Sequence, residues 1–317
     1  MRHLTTLLLL FASLLARPAV ALTWDEPWHE QVVKKADSFV LAKITASTGK
    51  GITATIIRTL GGRGLSGTIR ITGFYLLDIC SSSGGHGPEF YTGNADTCYF
   101  FLQQNTKGNY SIATPSTGFA AVKKANVVAT YRHSYHQALV PQSVYEPTMT
   151  AIFRHYHGQE YDHASLARFL ASALALPPAR IDEAGMHTFF LQHVALETIY
   201  HVGLSKYYEQ VLPFLHDTAN FHARVSAARA LTASNTPAAK QQLLQLLRDK
   251  DSGDFTKVIA LQTLARYQPH ELKPELTKLA AQASDESNGF GGNIMDPRVC
   301  THLPTVKAAM TKLAESL

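Results

Sequence analysis

Cysteine is scarce in this chain: there are three in 317 residues, Cys80, Cys98 and Cys300. That count excludes a small disulfide-dense scaffold, in which bridges stand in for a core. Charged residues are also few, at 17%, and basic residues gather only into short pairs such as Lys34-Lys35 and Lys123-Lys124. A nucleic-acid surface needs a denser basic patch, so nucleic acid is not supported as a partner. Long hydrophobic runs are missing too. The apolar segment Leu7 to Leu15 falls well short of the ~20 residues that cross a bilayer, and no second stretch comes closer, so no membrane span is expected. The chain contains no His-Glu-x-x-His pair and no Gly-x-Ser-x-Gly elbow. A zincin helix and an α/β-hydrolase nucleophile therefore lack their sequence context. The glycine-rich loop Ser81 to Phe90 has no closing Lys-Ser or Lys-Thr, so it is not a phosphate-binding loop.

What is present is an apolar fraction of 45%, enough for a core. The first residues read as a secretory signal: basic Arg2, the apolar run Leu7 to Leu15, and the small-x-small site Ala19-Val20-Ala21. The expectation is an exported protein, periplasmic, cell-surface or extracellular, with residues 1–21 removed. No cysteine follows that site directly, which argues against lipid attachment. Of the formal charge of +5, Arg2 and Arg17 leave with the leader, so 296 residues at +3 remain, room for two domains. Export favours an oxidised pair. Cys80 and Cys98 lie 18 residues apart in one β-rich region and are the natural partners; a loop of that size stabilises by ~3 kcal/mol. Cys300 is left over, read as a small buried apolar residue.

After a lead-in helix over Glu30 to Asp37, short β-rich runs follow: Ser38–Thr45, Ile52–Leu60, Gly67–Phe74, Thr97–Leu102, Tyr110–Ile112 and Asn126–Thr130. Turns rich in Gly, Ser and Asn separate them, which predicts a closed or half-closed antiparallel barrel. The order Ala36-Asp-Ser-Phe-Val-Leu-Ala-Lys-Ile44, Thr59-Leu-Gly-Gly62, Ile69-Arg-Ile71 and Cys98-Tyr-Phe-Phe-Leu102 resembles the oligonucleotide/oligosaccharide-binding (OB) type barrel. The form it is similar to is that of the netrin module and the tissue inhibitors of metalloproteinases. The resemblance covers about 30–140 and implies a secreted binding module. It does not carry the inhibitory activity over. Those inhibitors chelate the protease zinc through an N-terminal Cys, whereas the expected mature terminus here is Leu22-Thr-Trp24.

The C-terminal half repeats itself. Sliding Phe221–Leu231 forward by 33 residues lays Arg224 on Lys257, Ala227 on Ala260, Ala228 on Leu261 and Leu231 on Leu264. Each block is followed by a second apolar-periodic segment, Pro237–Leu247 and Leu272–Ala280. A third pair lies upstream, at His187–Ile199 and Tyr207–Leu215. A helix over Ala164–Leu176 precedes these, and Pro297 to Leu317 can close the series. Fixed-offset helix pairs predict an α-solenoid. The segment Arg224-Val-Ser-Ala-Ala-Arg-Ala-Leu231, followed by Leu243 to Asp251, resembles the HEAT-repeat consensus over about 185–317. The resemblance implies an interaction surface for protein or peptide partners.

The expectation is thus an α+β chain in two parts, a small antiparallel OB-like barrel over 22–145 with one disulfide and a helical domain over 146–317. Histidines crowd the junction: His133, His136, His155, His157 and His163, then His187, His193 and His201. A zinc site needs three protein ligands around an open position, and His155, His157 and His163 are the metal candidates. Their spacing opposes it, since residues two apart on a helix do not share a face. His193 and His201, eight apart, do share one, but among Leu and Val. The carboxylate pairs Glu160 with Asp162 and Asp182 with Glu183 read as helix-end charges rather than as acid and base. No catalytic residue and no cofactor are assigned. The function expected is non-catalytic binding or scaffolding of a protein or peptide. The alternatives are a metal-dependent hydrolase using the junction histidines, and a glycan-binding barrel.

Overall fold

Strand β2 (Ser38–Thr48) over its first half and strand β5 (Thr97–Gln104) over most of its length are buried on both faces. The computed structural model explains why. It describes residues 24–25, 27–48, 51–72, 97–106, 108–113, 118–132, 137–286, 299–300 and 303–317. Val40, Ala42 and Ile44 of β2 join Cys98, Phe100 and Leu102 of β5 in one core, while Phe39, Leu41, Tyr99 and Phe101 join another. Successive side chains of a pleated strand point to opposite faces. Here one face fills a barrel and the other meets helices.

The barrel is closed and five-stranded. β2 pairs with β3 (Gly51–Gly62) and β3 with β4 (Thr68–Thr72), both antiparallel. β4 runs parallel to β6 (Tyr110–Ser111), β6 pairs with β5, and β5 returns to β2 with Ser38 opposite Leu102. Three register shifts between β2 and β3 bend the long strands enough for so small a barrel to close. β7 (Phe119–Lys123), β8 (Asn126–Thr130) and β9 (Gln137–Pro141) extend the sheet from β5. β1 (Trp24–Asp25) lies parallel to β10 (Val299–Cys300), which brings the start of the described chain beside the segment that precedes the last helix.

Ten α-helices are described. α1 (His29–Lys35) lies before the barrel. After β9 come α2 (Gln142–Tyr156), α3 (His163–Leu174), α4 (Met186–Val202), α5 (Tyr208–His216), α6 (Phe221–Ala230), α7 (Pro237–Arg248), α8 (Asp254–Tyr267), α9 (Lys273–Ala280) and α10 (Val306–Ser316). α4 packs on α6, α6 on α8 and α8 on α10, while α5 lies on α6 and α7 on α8. The shared core includes Leu196, Ile199, Phe214, Val225, Leu243, Ile259, Leu264 and Leu276. Two connectors use one device: Asp217 Oδ1 accepts from Ala219 N, and Asp249 Oδ1 from Asp251 N, both Asx turns.

The helical part is expected from residue 146, but α2 begins at Gln142 and contains Pro147. Proline removes one backbone donor. The burial of Tyr145, Met149, Ile152 and Phe153 against the barrel offsets the lost bond. Gly61 of β3 allows the approach, because a Cβ there would stand 2.5 Å from the Phe153 ring. The same core stacks Phe39 on Phe101 at 4.7 Å between ring centroids and places it 5.9 Å from Phe153. Barrel and helices thus share a core.

Cys98 is buried in β5. Its expected partner Cys80 lies outside the described residues, as do the leader, the loop Ser81–Phe90, His133, His136 and the side chain of Cys300. Among the described residues no helix is long and apolar enough to cross a membrane.

Candidate functional site

α4 is buried without a break from Gln192 to Val202, so it has no solvent face over three turns. Polar groups on such a helix need partners inside the protein. His193, Glu197 and His201 follow each other at four-residue steps and form one stripe. His193 Nδ1 lies 3.1 Å from Ser226 Oγ on α6. Glu197 Oε2 accepts from Arg229 Nε, also on α6, at 3.1 Å, and its other oxygen stands 3.7 Å from Nε of Arg132, just beyond β8. His201 lies between the Tyr156 hydroxyl of α2, 2.8 Å from Nδ1, and the carbonyl of Tyr131, 3.2 Å from Nε2. The stripe joins α4 to the sheet extension, to α2 and to α6.

A second layer reaches the surface. The Arg229 guanidinium lies 4.0 Å from the Tyr200 ring centroid and 5.0 Å from that of Trp28, cation–π contacts on two rings. Tyr200 Oη donates to Glu30 Oε2 of α1 at 2.5 Å, and Arg266 of α8 donates to both, at 2.7 and 2.8 Å. Lys34 donates to the other Glu30 oxygen at 2.5 Å.

Burial sets the protonation states. It lowers His29 and His201 to about 3 and His193 well below the usual range, with the Arg229 charge acting in the same direction on each. All three are neutral at physiological pH. Burial alone would raise Glu30, but its hydrogen bonds to Lys34, Tyr200 and Arg266 outweigh that and hold it at about 2. Burial lowers Arg132 to about 10, Glu197 opposing it, so Arg132 stays charged. Burial also pushes the phenols of Tyr131 and Tyr145 up, so neither supplies an anion. The cluster is a set of fixed charges and neutral rings that ties three layers together.

The expected metal candidates lie elsewhere. His157 Nε2 is 3.1 Å from the Val33 carbonyl and its ring stacks on Phe153 at 4.2 Å. His155 is exposed, its pKa lowered by the partial burial of its ring and by Lys34. His163 is exposed, 3.9 Å from Glu160. Among the described residues no three His, Cys, Asp or Glu side chains are grouped for a metal ion. Asp162 caps α3 by accepting from Ser165 N, and Asp182 accepts from Gly185 N just before α4, the helix-end roles their positions imply.

Sequence reasoning paired His193 with His201 but passed over Glu197 between them, and over Arg132 and Glu30. The signal was there: a carboxylate inside Val194 to Ile199 has no exposed face to occupy.

An open feature lies at the turn edge of the helices. A cleft of about 650 Å³ is lined by Pro178, Arg180, Ile181, Pro213, His216 and Asp217, among others. A smaller one of about 280 Å³ shares His216 and continues to Arg224, Gln242 and Asp249. The loop bearing Ile181 is pinned from beneath: Gln192 donates to the carbonyls of Leu176 and Pro177 and accepts from Ala179 N, and Asn220 donates to the Ala179 carbonyl. Ile181 and Leu176 on that loop are exposed despite their size. Such a surface can bind; it holds no nucleophile and base in contact. In comparisons with known proteins, no family model, no curated protein and no solved structure matches this chain.

Proposed function

We propose that this chain is an exported, non-catalytic binding protein that holds a segment of a protein or peptide partner in the turn-edge cleft. The observation that carries the reading is the pinned loop of residues 176–181. Four hydrogen bonds from α4 and Asn220 fix its backbone, and the exposed Ile181 side chain stands over a cleft rimmed by Arg180, His216 and Asp217. A rigid backbone with an apolar anchor and a polar rim binds with little ordering cost. Paired helices packed in series suit such a role and support the HEAT-like reading. The closed barrel with parallel β4 and β6 supports the OB-type reading, and through it the netrin-like resemblance. On this reading export precedes folding, and Cys80 pairs with Cys98 in the mature protein. Mass spectrometry of the alkylated, unreduced chain tests that pairing.

The binding reading is tested by selecting displayed random peptides on the immobilised full chain, with Ile181→Asp as the counter-target. The expected result is a peptide family with an apolar anchor that binds the wild type and loses at least tenfold on the variant. The thermal midpoint should be unchanged, because an exposed side chain carries little stability. Peptides that bind both proteins equally, or no enrichment at all, would refute the cleft.

A further inference from the structure

The inner charge cluster does not balance. Arg132, Glu197 and Arg229 are all at least 95% buried, and they carry two positive charges against one negative. Glu30 cannot supply the missing charge, because Lys34 and Arg266 already face it. The nearby rings do not supply it either: His29, His193 and His201 are neutral, and the Tyr131 phenol is pushed up by burial. An uncompensated buried charge costs several kcal/mol, which a folded protein does not carry without compensation.

The hydrogen-bond inventory shows the same excess. Arg132 Nε and Nη1, Arg229 Nη2 and Glu197 Oε1 are buried with no hydrogen-bond partner among the described residues. One water between Arg132 Nε and Glu197 Oε1, now 3.7 Å apart, would satisfy that pair. Arg132 Nη1 and Arg229 Nη2 would still have no acceptor within hydrogen-bonding distance among the described residues, and both belong to guanidinium groups that cannot accept. A neutral water could take those protons but would leave the charge uncompensated.

We infer that Arg132 and Arg229 bind a small monovalent anion between the sheet extension and helices α4 and α6, at the unpartnered Arg132 Nη1 and Arg229 Nη2. Charge sets the valence at one, and halide and formate are among the smallest anions of that charge. The anion joins an arginine just beyond β8 to one of the helical layer, so it fastens the two together. This inference stands apart from the turn-edge cleft.

The test uses the full chain and sodium bromide. Anomalous diffraction from crystals grown in bromide is expected to show one peak within hydrogen-bonding distance of both Arg132 Nη1 and Arg229 Nη2. In solution, the thermal midpoint should rise with bromide or chloride and saturate in the millimolar range, at ionic strength held constant with gluconate. Formate replacing halide distinguishes a general anion site from a halide site. The variant Arg132→Met, which restores charge balance, should lose the halide dependence. An ordered water in place of the peak would overturn the inference. So would a midpoint equal in chloride and gluconate, or a response that appears only at molar halide. The bromide measurement on wild-type protein decides the matter even if the variant does not fold.

Discussion

Tyr200 and Glu30 stand 170 positions apart in the chain, yet their side chains share a hydrogen bond of 2.5 Å, and Arg266 donates to both. Three elements that the sequence keeps far apart, α1, α4 and α8, meet at one carboxylate. Glu30→Ala removes the acceptor for three donors, two of them charged. Because Lys34 and Arg266 are about half exposed, solvent discounts their share, and a loss of about 2 kcal/mol is expected. Urea denaturation of the variant should show a lower midpoint. A midpoint equal to that of wild type would mean that α1 is fixed by its apolar contacts alone.

Acid should weaken the fold before it reaches the carboxylate range. His29 and His201 are neutral in the folded protein with pKa values of about 3, against about 6.5 for an unfolded imidazole. The unfolded chain therefore binds the extra protons, and stability falls as pH drops below about 6.5, continuing towards 3. Each ring contributes up to about 1.4 kcal/mol per pH unit, so the two together give about 4 kcal/mol between pH 8 and pH 5. Glu30, depressed to about 2, adds its loss only at lower pH, as the pH falls from about 4.5 to 2. Equilibrium unfolding across pH 8 to 4 checks this. His29→Phe should lower the slope by about one proton, since the ring already lies edge-on to Phe101 at 5.0 Å. An unchanged slope in that variant would contradict the assignment.

The helices were legible because their signal is local. The segment 237–247 reads as a helix from its Leu spacing and its Thr236-Pro237 start, and α7 runs Pro237–Arg248 with Thr236 capping Ala239 N. The strands were legible for the same reason, Asn126–Thr130 of the sheet extension to the residue. β7 and β9 were missed: Phe119–Lys123 and Gln137–Pro141 are short and hold few β-branched residues, and pairing with neighbours makes them strands. The charge cluster was the least legible part. Its members come from positions 30, 132, 197, 229 and 266, and only the folded topology makes them neighbours. What a single sequence could show was one carboxylate where the helix has no outer face.

The β7–β8 hairpin turns on Lys124 and Ala125, both left-handed, with φ of 49° and 61°. Two-residue hairpin turns favour this backbone because its twist matches that of the strands, but residues with a Cβ adopt it at a cost. Ala125→Gly is expected to stabilise by about 1 kcal/mol, the relief exceeding the entropy glycine gives the unfolded chain. In a chain of 317 residues that is a rise of about 1.5 °C in thermal midpoint. Ala125→Val should lower it instead. A glycine variant less stable than wild type would show that the turn relaxes in solution.

Glu197 gives the sharpest test of how the layers are joined, because the single change should cost more than the larger one. Glu197→Met leaves Arg132 and Arg229 buried with no carboxylate between them, and breaking a buried pair from one side costs about 3–5 kcal/mol. Replacing all three with Met removes every charge of the inner cluster and keeps most of the volume. Such exchanges of a buried triad for apolar side chains are often neutral or stabilising. The triple variant should therefore lie closer to wild type in urea midpoint than Glu197→Met does. Its stability should also lose any dependence on halide. If the single variant proved the milder of the two, the cluster would be hydrated rather than dry, and the apolar contacts of Phe39, Phe153 and Val194 would alone hold barrel and helices together.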